Sequence, residues 1–362
     1  MKNGTISGSA ALGNRFSRKG LMAAAIAAAA MILPAAARAS DEMLPNPDAL
    51  SLSPQVTHHD SDAAPEASET VAASKPLFLD AGAADQPNIH GFADVTFTTA
   101  YLTPRGLLVF DKGVVIQPIV GLVLPIGDLG PIKNYTWVAG VWNCITASQG
   151  DPDVGGWNEM DFFFSQSGTV ADVVTLNLTY GEWNFPQSTV SGKPKAEQNL
   201  DLKIGYDDSK MWGDSGFSLN PYVDCWWAMA GSSTVTFGRE GGTGYFEFGI
   251  VPTYTVKAIP DYPIKITVPS YFSCGPKDYW GRGGYIAGLS ANSASNFGVA
   301  TIAVNLDVPL SFIPAKYGHW HGDVGVSYDY LINGALLDAG TLLTGNTNRS
   351  LVEGSVGFGV NF

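Results

Sequence analysis

The sequence predicts an all-β fold, a transmembrane antiparallel β-barrel of about twelve strands preceded by a disordered acidic segment, on three observations. From Gly91 onward, stretches of about ten residues alternate apolar and polar with period two. Trp and Tyr recur near the ends of those stretches, at Tyr135, Trp142, Trp157, Tyr180, Trp183, Trp226, Trp227, Tyr254, Tyr271, Trp320 and Tyr330, as girdles at a lipid interface require. The chain closes on an amphipathic strand whose last residue is Phe362.

Composition agrees. Charged residues make up 15% of the 362, against about 25% in soluble domains. The 42 Gly and 11% aromatic content suit strands and turns, since each interior Gly costs a helix about 1 kcal/mol. A net charge of −13 argues against nucleic acid as a partner, because that binding draws on a basic surface. Cys144, Cys225 and Cys274 are too few and too scattered for a disulfide scaffold or a thiolate zinc site, and at most one bridge could form.

The first 39 residues read as a signal peptide. Arg15, Arg18 and Lys19 lead into an uncharged apolar run from Leu21 to Leu33, and Ala37-Arg38-Ala39 supplies the small-x-small pattern before Ser40. The run falls short of the roughly 20 residues that span a bilayer as a helix. Its removal takes five positive charges and no acid, moving the formal charge from −13 to −18. Residues 40–90 form an acidic leader rich in Pro, Ala and Ser, and residues 91–362 the barrel. His58-His59-Asp60 within the leader reads as solvated rather than as a metal site.

In order along the chain, strands are expected near 92–101, 114–124, 135–144 and 157–165. In the next, Val174, Leu176, Leu178 and Tyr180 oppose Thr175, Asn177, Thr179 and Gly181. From 199 to 206, Leu200, Leu202, Ile204 and Tyr206 oppose Asn199, Asp201, Lys203 and Gly205. A strand near 217–228 precedes one in which Phe246, Phe248 and Ile250 oppose Tyr245, Glu247 and Gly249. Another lies near 263–271. Ile302, Val304, Leu306, Val308 and Leu310 then oppose Thr301, Ala303, Asn305 and Asp307, and after a Pro314–Gly318 turn Trp320, Val324, Val326, Tyr328 and Tyr330 oppose His321, Asp323, Gly325, Ser327 and Asp329.

Such strands bury one face either in a soluble sandwich or barrel or against lipid, and period alone does not choose. The final strand, near 350–362, favours lipid. Ser355, Gly357, Val360 and Phe362 match an outer-membrane insertion signal, with Val352, Val356 and Phe358 sharing the lipid-facing parity. The expected partners are therefore outer-membrane lipid and, through this strand, the barrel-assembly machinery of a Gram-negative-type bacterium.

The run TFTTAYLTPRGLLVFDKGVVIQPIVGL, residues 96–122, resembles the opening strand pair of the TorF (Gcw_chp) family of porins, through Tyr101, Arg105, Gly106, Asp111, Lys112, Gly113 and Gln117. WVAGVWNCITASQGDPDVGGWNEMDFFFSQSG, residues 137–168, is similar to the next hairpin of that family, through Gly140, Val141, Trp142, Glu159 and Asp161. The likeness is best over residues 92–182 and weakens beyond Gln198. Pro104 stands where the family tends to have an aromatic residue. The resemblance implies an outer-membrane barrel with a channel role, and brings no catalytic residue and no substrate.

Strand parity puts ten acids inside, Asp94, Glu159, Asp161, Asp201, Asp224, Glu247, Asp307, Asp323, Asp329 and Glu353, against Lys203 and Lys265. Such a lining attracts cations. Asp172 falls on the lipid-facing parity and marks a strand end. Whether twelve strands leave an open bore does not follow from their number. His319, His321 and Asp323 share one strand face, but no further metal ligand can be assigned to them. No G-x-S-x-G elbow occurs, the Gly-rich runs at 238–244 and 281–284 precede no helix, and nothing calls for a cofactor. Cys225 shares the lipid-facing parity. The expectation is a passive channel, not an enzyme, passing small polar or cationic solutes. A non-conducting structural or adhesion barrel, and a secreted carbohydrate-binding β-sandwich, stay open as alternatives.

Overall fold

The computed structural model describes residues 89–146, 155–187, 196–231, 241–256, 263–280 and 295–362. The expected signal peptide, nearly all of the leader, residues 238–240 of the first Gly-rich run and all of the second, 281–284, lie outside them.

Twelve strands close into one antiparallel barrel. They are β1 (His90–Thr98), β2 (Val115–Leu129), β3 (Ile132–Thr146), β4 (Trp157–Val170), β5 (Val174–Asn184) and β6 (Glu197–Tyr206). They continue with β7 (Phe217–Ser218 and Pro221–Ala230), β8 (Thr243–Ile250 and Thr253–Val256), β9 (Ile264–Thr267 and Ser270–Cys274), β10 (Phe297–Pro309), β11 (His319–Leu331) and β12 (Ser350–Asn361). Each pairs with the next, and β12 returns to β1 in the register Phe92↔Asn361 through Thr98↔Ser355. Paired amides and carbonyls of Gly91 and Phe362 extend this closing ladder, at 2.6 and 2.8 Å. One closed sheet leaves no pair of facing sheets, which corrects the β-sandwich alternative.

Side chains alternate across the wall as the period-two pattern requires. Val120, Leu122, Ile204, Ile302, Val304, Val324, Val326 and Val356 lie exposed outside, with Trp137, Tyr206 and Tyr254 toward one rim and Trp157, Trp227 and Tyr330 toward the other. This is an apolar wall edged by aromatic residues, on strands long enough to cross a hydrocarbon core of about 30 Å when tilted. The girdle expectation needs correction at four positions. Trp142, Trp183, Trp226 and Tyr271 are buried inside the barrel, because each sits on the inward parity of its strand, whereas Tyr135 shares the outward parity of Trp137 and donates to Gln166 on that face at 2.5 Å.

Among the described connections, 130–131, 171–173, 207–216 and 310–318 lie at the rim that also carries residue 89 and Phe362, and the longer 99–114 and 332–349 start from the other rim. Asp172 falls in the 171–173 turn at a positive φ of 59°, past the end of β4. β7, β8 and β9 are each interrupted near the same level, at Pro221, Pro252 and Pro269, where no N–H is available to the ladder. Asn220 spans the break, its Nδ2 donating to Ser218 Oγ at 2.7 Å and the Val251 carbonyl at 3.2 Å.

The largest correction concerns the opening strand pair. β1 stops at Thr98, and residues 99–114 leave the wall and fold into the barrel as a hairpin in which Tyr101–Leu102 pairs with Leu108–Phe110. The run Leu107-Leu108-Val109-Phe110 explains why. Three of these four side chains are no more than 3% exposed, and burying each contributes about 1.5–3 kcal/mol. The short helix α1 (Lys277–Trp280) and the helix α2 (Gly334–Thr344) pack beside the hairpin. Asn333 caps α2 by accepting the Ala335 amide at 3.0 Å, while its Nδ2 donates to the carbonyls of Ser295 and Phe297. All three free cysteines are unbridged.

Candidate functional site

The interior is built from the inward side chains of the twelve strands and from the hairpin that fills their upper half. Arg105, at the hairpin turn, is 1% exposed and pairs with Glu197 at the start of β6; its second terminal nitrogen donates to Asn199 Oδ1 at 2.9 Å. The guanidinium lies 4.0 Å over the Trp183 ring. Tyr101 donates to Glu159 of β4 at 2.5 Å and packs against Trp142. At the hairpin base, Asn346 donates to Asp111 at 2.9 Å and Lys112 to the Thr344 carbonyl at 2.9 Å, tying it to the end of α2. The hairpin is thus held by charge-assisted bonds at its turn and by α2 at its foot.

The expected interior residues fall in two groups. On β4 to β8, behind the hairpin, Glu159, Asp161, Asp201, Asp224 and Glu247 are buried. Lys203, Asp224 and Glu247 are successive register partners across β6, β7 and β8. Lys203 Nζ lies 4.2 Å over the Tyr222 ring, and Tyr222 donates to Glu247 at 2.5 Å. On β1 and β9 to β12 are Asp94, Lys265, Asp307, Asp323, Asp329 and Glu353. Asp329 accepts Thr301 Oγ1 at 2.6 Å and Ser327 Oγ at 2.9 Å. Asp307 is the register partner of both Lys265 and Asp323.

Inward glycines make room for these acids. Gly359 of β12 lies between Asp94 and His321, whose side chains meet over it at 3.2 Å. Gly357 does the same for Asp323. Two residues of the expected insertion signal are thus seated: Gly357 inward under Asp323, and Phe362 exposed outside with its ring against Gly91. Ser355 is half-buried on the inward parity and Val360 half-buried on the other. His319 is exposed and His321 faces Asp94. Among the described residues no group of three or more His, Cys, Asp or Glu is placed to hold a metal.

Arg105, Glu197, Asn199 and Trp183 were not recognised as a unit in the sequence. Two signals pointed that way. The 16-residue interval between β1 and β2 is long for a hairpin turn, and its central Leu-Leu-Val-Phe run needs burial.

A closed barrel with an apolar, aromatic-edged outer wall defines a transmembrane β-barrel protein. No family model matches the chain, and no curated protein matches it. Among solved structures it is similar to an outer membrane channel from Pseudomonas putida F1, at 12% identity over 81% of this chain and 100% of that one, TM-score 0.41. The translocator domain of the autotransporter NalP from Neisseria meningitidis is similar at 10% identity over 77% and 90%, TM-score 0.38. The outer membrane channel DcaP of Acinetobacter baumannii is similar at 8% identity over 76% and 96%, TM-score 0.31. Likeness at this level assigns neither a family nor a solute.

Proposed function

We propose that the protein is an outer-membrane channel, passive and narrow, which prefers small cations and is held in a low-conductance state by its inner hairpin. The observation that carries this reading is the inward side of the barrel wall, where, among the described residues, eleven acids face two lysines, with one of the eleven, Glu197, neutralised by Arg105 of the hairpin. In a barrel with low-dielectric walls, their summed field draws cations and repels anions. The hairpin explains why a narrow rather than a wide bore is proposed, since it and α2 occupy the upper interior. The long connections at one rim and short turns at the other follow the usual outer-membrane arrangement, which puts the short turns on the periplasmic side. The likeness of residues 92–182 to the TorF family supports the same class of function.

The test has two stages. Protein from cells expressing the full chain should stay in detergent-extracted outer membrane and migrate faster on gels unheated than boiled. In planar bilayers under a KCl gradient it should then give steps with a cation-selective reversal potential. Heat-modifiable protein that never conducts, even with the hairpin released, would instead favour a structural or adhesion role.

A further inference from the structure

At its turn the hairpin is fastened to one side of the barrel, through Tyr101 to Glu159 of β4 and Arg105 to Glu197 and Asn199 of β6. Its feet bond to the other side, Thr99 to Gly354 of β12 and Asp111 and Lys112 to Asn346 and Thr344. In a ring of twelve strands, β10 to β12 lie across from β4 to β6, and the structure leaves two cavities there. The upper, of about 260 Å³, opens among the hairpin feet at Thr99 and Asp111, Asn346 and the start of β12 at Ser350. The lower, of about 40 Å³, continues toward the short-turn rim past Thr301, Ser327, Asn305 and Ser355. Three residues line both: Leu102, Asp329 and Glu353.

We propose that solutes cross along this off-axis seam between the hairpin and β10 to β12, with Leu102 as its constriction and Asp329 and Glu353 as the groups that select small cations. The proposal rests on the channel reading above and specifies its path and its permeating species. Leu102 is 3% exposed and packs in an apolar cluster with Val299 and Leu331, the composition of a constriction that closes by excluding water. Beside it, Thr301 and Ser327 orient the Asp329 carboxylate, and Glu353 stands on the neighbouring strand. The rest of the lining is mixed, but Asn346 and Asp111 above and Thr301, Asn305 and Ser355 below give a hydrated ion oxygen partners on either side of the leucine. Asp329 and Glu353 are themselves only 3% and 5% exposed; what sets them apart from Asp161, Asp201 and Asp224 on the anchored wall is that they line both cavities and the other three line neither.

The test is recording from the full-chain protein in planar bilayers under a KCl gradient, with N-methylglucammonium chloride as a second, larger cation. Leu102→Gly should raise K⁺ conductance severalfold, and Leu102→Ala less so; heat-modifiable mobility verifies that each variant is a folded barrel. Asp329→Asn and Glu353→Gln should move the reversal potential toward zero by more than Asp201→Asn does. Unmodified protein should exclude N-methylglucammonium, and Leu102→Gly should pass more of it. If Arg105→Ala conducts while Leu102→Gly has no effect, or if Asp201→Asn shifts selectivity more than the seam variants, the seam is overturned and the channel reading stands. If neither Arg105→Ala nor Leu102→Gly conducts from a folded barrel, both fall.

Discussion

Arg105 and Glu197 form a buried ion pair inside the barrel, joining the turn of the inner hairpin to the first residue of β6, with the guanidinium also 4.0 Å over the Trp183 ring. Their side chains are 1% and 0% exposed, so neither charge has water to fall back on. Removing one partner of such a pair costs about 3–5 kcal/mol because the other is left buried and uncompensated. Arg105→Met and Glu197→Gln should each loosen the hairpin by that order, and the double variant should be less harmed than the two single effects predict together. The readout is protease cleavage within 99–114 of detergent-solubilised barrel. Additive effects would mean that the pair does not hold the hairpin.

Tyr101→Phe removes a single hydrogen bond to Glu159 and keeps the ring against Trp142. A bond to a carboxylate contributes about 1.5–3 kcal/mol. The variant should expose the hairpin to protease less than Arg105→Met does, with unchanged heat-modifiable mobility. Equal cleavage of the two would show that Arg105 has no special place in the anchor.

Asp208, in the turn between β6 and β7, accepts Trp212 Nε1 at 2.7 Å and the amides of Leu219 and Asn220 at 2.8 and 2.9 Å. Burial acts to raise its pKa, but these donors together hold the carboxyl below its ordinary value. A group whose folded pKa is depressed stabilises the fold fully above its unfolded pKa of about 3.9 and loses that contribution as pH falls through the folded value. Asp208→Ala should therefore lower stability by about 2 kcal/mol at neutral pH. The gap should narrow in acid below the ordinary carboxylate range, measured as the urea midpoint across pH. A pH-independent gap would contradict this assignment.

Gly359→Ala would drive a Cβ into the Asp94 carboxylate and place it 2.7 Å from His321 Cε1. The substitution should push Asp94 aside, break its 3.2 Å contact with His321, and cost about 1–3 kcal/mol of unfolding stability. Adding Asp94→Ala should recover part of the loss. No recovery would place the strain elsewhere in the closing ladder.

The wall was legible in the sequence because each strand needs its apolar face turned one way, and period two reports that parity directly. β6, β8, β10 and β11 stand where alternation placed them. The strand near 92–101 was read too long because apolar residues continue past Thr98 into the hairpin, and a short buried run has no period that separates wall from plug. Trp142, Trp183 and Trp226 were misread for a related reason. Position near a strand end suggests a lipid girdle, whereas parity, which was available for the neighbouring residues, assigns them inward. The Arg105–Glu197 pair spans 92 residues of sequence, and no local spacing announces such a contact. The gaps at Pro221, Pro252 and Pro269 were equally hidden, since only strand register shows the three to be neighbours.

Single-channel recording of the full-chain protein beside its Arg105→Ala variant, under a KCl gradient, tests the central claim most directly. The hairpin-held cation channel predicts small steps from the unmodified protein, larger and noisier steps from the variant, and cation-selective reversal in both. Silence from both, with heat-modifiable mobility showing folded barrels, would contradict it.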